Sequence, residues 1–137
     1  MYKHILVAVD GSDNSLRAVE DAIKAASTES QIEILYVSPT GHIAPEILKA
    51  GTLDEFNEQN RQKFAREEAA VKASGIAYKV TIEYGEVEKV IANYANDNNV
   101  DLVVLGRRGL NAMQEMVFGR VSTYVMIHIN CSCLLVK

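Results

Sequence analysis

The sequence has 137 residues, 48% of them hydrophobic and 23% charged, a balance that excludes disordered and fibrous classes and fits one folded domain spanning 1–137. A formal net charge of -4 excludes a broad basic surface of the kind that grips DNA or RNA, so no nucleic-acid partner is expected. No apolar run approaches the roughly 20 residues needed to cross a bilayer, and no membrane association is expected.

Met1 leads into a strand without a signal-peptide pattern, which makes the cytoplasm the expected compartment. His4 to Val9 reads HILVAV, the nearly continuous branched apolar run of a central strand buried on both faces. Asp10-Gly11-Ser12-Asp13 breaks this pattern. Leu16, Val19, Ala22, Ile23 and Ala26 then recur at helical spacing and predict a first amphipathic helix. Ile32 to Val37 is a second strand, ended by Ser38-Pro39, and a long loop follows as far as Gly51.

Thr52 and Glu55 have capping-box spacing. Leu53, Phe56, Phe64 and Val71 anchor one long helix that closes at Ser74-Gly75, where glycine suits a left-handed C′ position. Tyr78 to Glu83 alternates apolar and polar residues and predicts an edge strand. Val87, Val90, Ile91, Tyr94 and Ala95 mark a third helix, and Val100 to Leu105 a second strongly apolar strand beside the first. A fourth helix starts near Gly119, and Cys133 to Val136 is a short last strand. The β-α alternation predicts an α/β fold with a doubly wound parallel sheet and helices on both faces.

In such sheets ligands bind beyond the carboxyl ends of the strands, where the winding reverses. Two segments concentrate unusual residues there: Asp10-Gly11-Ser12, and residues 106–122, which read GRRGLNAMQEMVFGRVS. Gly106, Gly109 and Gly119 allow a backbone to approach a ligand closely, or simply punctuate a loop. A helix starting at Gly119 offers unpaired N–H donors and a positive dipole end to an anion such as phosphate, with the Ser122 hydroxyl alongside. Asp10 either accepts from the hydroxyls of a ribose or caps a helix.

A sugar acceptor facing a phosphate cradle indicates a nucleotide. The dinucleotide fingerprint G-x-G-x-x-G and the phosphate-loop pattern G-x-x-x-x-G-K-[ST] are both absent from the sequence. Cys131 and Cys133, two apart in a strand, read as apolar thiols and not as a disulfide, and the three histidines lack metal-site spacing. No metal is assigned to protein ligands, and no catalytic residue is assigned.

From KHILVAVDGS to CSCLLVK the chain resembles the universal stress protein family, whose nucleotide-binding members carry G-x2-G-x9-G followed by Ser or Thr. Gly106, Gly109 and Gly119 reproduce that spacing. The resemblance implies a five-stranded parallel sheet of order 3-2-1-4-5 and a regulatory protein of the stress response that binds ATP or another adenine nucleotide, with Mg2+ as a possible companion. It further implies Asp10 on ribose, the Val37 backbone on adenine, a pocket lined by Ala8, Val9, Leu105 and Val121, and a homodimer through Cys133, Leu134, Leu135 and Val136.

One position departs from that pattern. Arg120 stands where the ATP-binding members have Ser or Thr, although Ser122 is in place. Arg120, Arg107 and Arg108 either pair with phosphate oxygens, or the Arg120 side chain fills the phosphate space. The second outcome would make the chain a nucleotide-independent dimeric interaction module. A slow ATPase, with Asp10 or Asp13 holding magnesium, is a third reading.

Overall fold

The structure, a computed structural model, describes residues 1–39, 51–107 and 119–137. The expected loop before Gly51 and most of the glycine-rich segment, including Arg108 and Gly109, lie outside the described residues. Elements follow in the order β1 (His4–Val9), α1 (Asp13–Ala25), β2 (Gln31–Ser38), α2 (Leu53–Gln62), α3 (Ala65–Ser74), β3 (Ala77–Tyr84), α4 (Val87–Asp97), β4 (Leu102–Gly106), α5 (Arg120–His128) and β5 (Ser132–Val136).

The five strands form one parallel sheet in the order β3-β2-β1-β4-β5. Val7 of β1 stands opposite Ile34 of β2 on one side and Val104 of β4 on the other. Alternation along β1 sends Ile5, Val7 and Val9 to one face, where they pack with Val19 of α1, Val71 of α3 and Phe64 of the α2–α3 junction. Leu6 faces the other way, with Leu35, Val103, Ile91 and Val125 under α4 and α5. Both faces are therefore covered, which accounts for the unbroken apolar runs of the inner strands. β3, with its alternating sequence, lies at the edge as expected.

The connections from β1 and β4 lead outward in opposite directions, so the winding reverses between these two neighbours. Their carboxyl ends deliver Asp10 and Arg107 to the rim of the sheet.

The single long helix expected from Thr52 to Ser74 is two helices. Thr52 caps the first, its hydroxyl accepting from Glu55 N–H, and Gly75 ends the second at φ 78°. Between them Phe64 leaves helical geometry (φ -122°, ψ 34°), is fully buried, and stacks on Tyr36 at 5.4 Å between ring centroids. Arg61 spans the break, donating from Nε to Glu68 at 2.8 Å. The apolar spacing is compatible with a continuous helix; the break is imposed by the tertiary position of Phe64. Leu53, expected as an anchor, is exposed.

A charged group lies inside the sheet. Glu33 in β2 has no exposed surface; its Oε1 lies 2.7 Å from His4 Nε2 and 3.8 Å from Lys79 Nζ, and its Oε2 accepts from the Thr81 and Tyr94 hydroxyls. Burial alone would raise its pKa, but the hydrogen bonds from Thr81, Tyr94 and His4, aided by the Lys79 charge, outweigh it and hold the carboxyl below its ordinary value.

Candidate functional site

A cleft opens where β1 and β4 end, and three kinds of surface line it. Ala8, Leu35, Val37, Val87, Ile91 and Leu105 form an apolar wall on the α4 side of the sheet. Val9, Asp10, Ser12, Asn14 and Ser15 bring the β1–α1 turn and the start of α1. Gly106, Arg107, Gly119, Val121 and Ser122 bring the end of β4 and the start of α5.

The β1–α1 turn is held from several directions. Ser12 caps α1, its hydroxyl accepting from Ser15 N–H at 3.1 Å. Asp10 Oδ1 accepts from Ser12 N–H at 2.9 Å, and Asp10 N–H donates to the Ser15 hydroxyl at 3.1 Å. The turn role of Asp10 is thus met by one oxygen. Its side chain is exposed at the cleft, and Oδ2 has no hydrogen-bond partner among the described residues. Gly11 adopts φ +85°, and a Cβ there would stand 2.4 Å from the Lys63 carbonyl oxygen. Only glycine satisfies both conditions without strain.

Gly106 serves a purpose the sequence did not suggest. A Cβ at this position would lie 2.4 Å from Asn14 O and 3.2 Å from Ser15 N. Its missing side chain admits the first turn of α1 against β4, in addition to any approach by a ligand. Gly119 is the N-cap of α5, with φ -80° and no side-chain cap bond. Its carbonyl accepts from Thr123 N–H at 3.0 Å, so the preceding N–H groups of α5's first turn are the donors a helix leaves without intrahelical partners. Ser122 is buried, and its hydroxyl donates to Gly119 O at 3.2 Å; a bond from that hydroxyl to a ligand requires it to rotate.

The Arg120 side chain does not fill the cleft. Its Nε lies 3.2 Å from Glu88 Oε2, and its side chain is 84% exposed. Glu88, in the first turn of α4, draws the guanidinium outward. Of the residues expected at the site, Ala8, Val9, Asp10, Val37, Leu105, Gly106, Gly119, Val121 and Ser122 converge on the cleft. Arg108 and Gly109 fall outside the described residues. Asp13, considered for magnesium, is instead paired with Arg66 at 3.1 Å.

Sequence reasoning missed Asn14, Ser15, Leu35, Val87 and Ile91 as lining residues. The S-x-x-S spacing of Ser12 and Ser15 carried a capping signal that could have placed Ser15 near Asp10 as well. Leu35, Val87 and Ile91 look like any core residue until the sheet order is known. Together the cleft offers an apolar wall, an open carboxylate oxygen and a set of backbone N–H donors at a helix start. Such a site can hold a molecule that is flat and apolar at one end, hydroxylated in the middle and anionic at the other.

The fold is a doubly wound α/β domain with a cleft where its winding reverses. The chain belongs to the universal stress protein family, whose model matches residues 1–137. A universal stress protein of Synechocystis sp. is 32% identical over 152 aligned positions, covering 99% of this chain and 98% of that one. Two solved structures share the fold. A universal stress protein in complex with cAMP is 23% identical at TM-score 0.74, covering 99% and 97% of the two chains. An Arabidopsis thaliana family member with AMP bound is 20% identical at TM-score 0.69, covering 98% and 91%. No helix among the described residues is long and apolar enough to cross a membrane.

Proposed function

We propose that the chain is a regulatory protein of the stress response that binds ATP or another adenine nucleotide in the β1/β4 cleft and acts in the cytoplasm as a homodimer. The observation that carries this reading is the placement around one cleft of Asp10 and the first turn of α5, whose amides have no intrahelical partner. The base would lie on the wall of Ala8, Leu35, Val37 and Ile91, the ribose at Asp10 Oδ2, and the phosphates at the amides of Arg120 to Ser122. Two relatives of the same fold carry cAMP and AMP, which supports an adenine nucleotide as the ligand class. Mg2+, where it accompanies ATP, would meet Asp10 as the carboxylate among the described lining residues.

The interaction-module alternative needs the Arg120 side chain in the phosphate space, and its pairing with Glu88 supports the nucleotide reading over it. The ATPase alternative needs a base for an attacking water, and no observation favours it. Dimerisation through β5 would cover the exposed edge that carries Cys133 to Val136.

Thermal unfolding with ATP, AMP and cAMP tests the ligand. A nucleotide at a hundredfold its dissociation constant should stabilise the fold by about 2.7 kcal/mol, and Asp10→Ala should reduce the shift. A flat response at millimolar concentrations of all three, with no nucleotide retained on purification, refutes the reading. Light scattering of the native chain beside Leu134→Asp tests the dimer.

A further inference from the structure

Glu67 is fully buried in the first turn of α3. Its Oε2 accepts from the Ser15 hydroxyl at 2.7 Å, while Oε1 has no partner among the described residues. Burying a carboxylate with one bond is costly, and an apolar residue at such a position is often as stable or more so. Local helix chemistry does not require the group either. At the third helical position a glutamate commonly reaches back to the N-cap N–H. Here the Phe64 N–H already donates to Arg61 O at 3.2 Å, and Glu67 points to Ser15 instead.

What Glu67 does hold is a chain of hydrogen bonds that ends at the cleft. Ser15 donates to Glu67 and accepts from Asp10 N–H at 3.1 Å, while Asp10 Oδ1 accepts from Ser12 N–H. The donation to Glu67 fixes the Ser15 hydroxyl rotor so that a lone pair faces Asp10. Arg66 of the same helical turn donates to Gly11 O at 3.2 Å and to Asp13 at 3.1 Å. The Lys63 carbonyl closes on Gly11 from the same side. Each element of the β1–α1 turn is therefore braced by the α2–α3 junction.

We propose that Glu67 is a positioning residue for ribose recognition: through Ser15 it sets the β1–α1 turn so that Asp10 presents its open oxygen to the sugar hydroxyls. This rests on the nucleotide reading above. Glu67 itself does not line the cleft. Its effect is confined to the part of binding that depends on the ribose diol.

The test compares AMP with 2′,3′-dideoxyadenosine monophosphate on the whole chain by titration calorimetry, alongside thermal unfolding of each variant. In the native chain AMP should bind more tightly, and Asp10→Ala should abolish the preference. Glu67→Ala and, independently, Ser15→Ala should each reduce the preference by about tenfold, the value of one hydrogen bond to a charged group. Glu67→Gln, which keeps an acceptor for Ser15, should retain it. A native preference that survives in Glu67→Ala or in Ser15→Ala, whatever the melting temperature, overturns the positioning role alone. A native chain that binds both nucleotides equally, with Asp10→Ala unchanged, overturns the ribose reading itself and the positioning role with it.

Discussion

Replacing Gly106 by alanine tests whether the cleft is built by the packing of α1 on β4. The new Cβ would stand 2.4 Å from Asn14 O and 2.8 Å from Asn14 C, against an ordinary contact of at least 3.4 Å. The first turn of α1 must therefore withdraw by about 1 Å, because the obstructing atoms are backbone and have no rotamer to change. That movement strains the Ser15 bonds to Asp10 N–H and Glu67. Overpacking costs roughly 1–3 kcal/mol and one weakened hydrogen bond about 1 more. At about 4 °C per kcal/mol for a domain of this size, the melting temperature should fall by roughly 8–16 °C. Differential scanning fluorimetry or circular dichroism reads the shift, and an AMP titration below the transition reads the accompanying loss of affinity. An alanine variant as stable as the native chain would show that the β4–α1 contact does not constrain the site, and the account of Gly106 as a packing residue would be wrong.

Arg120→Ala removes a guanidinium that faces Glu88 and solvent, so stability should change by less than about 1 kcal/mol and AMP affinity by less than about threefold; a larger affinity loss by calorimetry would place the side chain on the ligand. Glu33 is held below its ordinary pKa of 4.5, so its contribution to stability is complete above that value and is lost as pH falls through the folded-state pKa. Melting curves of Glu33→Gln should accordingly depend less on acid pH than those of the native chain, and parallel curves would refute this. Burial, with Cys131 as a smaller influence, raises the Cys133 thiol to about 11. At pH 7 its thiolate should be scarcer than that of a free thiol by roughly 100-fold or more, and iodoacetamide labelling followed by mass spectrometry should be slow by a similar factor; labelling at the rate of a free thiol would contradict the burial.

The sheet was legible in part from its own residues, since HILVAV and VDLVVL read as inner strands and YKVTIE as an edge, while the full strand order came with the family resemblance. The cleft was legible where its residues had to be unusual for local reasons, as with Asp10 at a strand end and the glycine starting a helix. Legibility stopped wherever the reason was a contact with a distant element. Nothing near Phe64 in the sequence announces that it will leave the helix to stack on Tyr36. Nothing beside Gly106 announces that its missing side chain makes room for Asn14. The direction of Arg120 was undecidable for the same reason, since the carboxylate that draws it outward is 32 residues away in α4.

Two buried glutamates distinguish what stabilises this fold from what tunes its site. Glu33 carries bonds from Thr81, Tyr94 and His4, with Lys79 nearby, and lies on the amino-terminal half of its strand, away from the cleft. Its partners come from β1, β3 and α4, so the carboxylate ties three elements together and its desolvation is offset by full hydrogen bonding. Among the described residues Glu67 has a single donor, Ser15, and that donor leads directly to Asp10. A carboxylate so incompletely satisfied adds little to stability that an apolar side chain would not supply. Its presence at a position that reaches the serine behind the cleft makes α3 a support for the turn that carries the acid. The same packing that seats Lys63 against Gly11 and Phe64 on Tyr36 holds this support in place, so the break between α2 and α3 is part of what shapes the cleft.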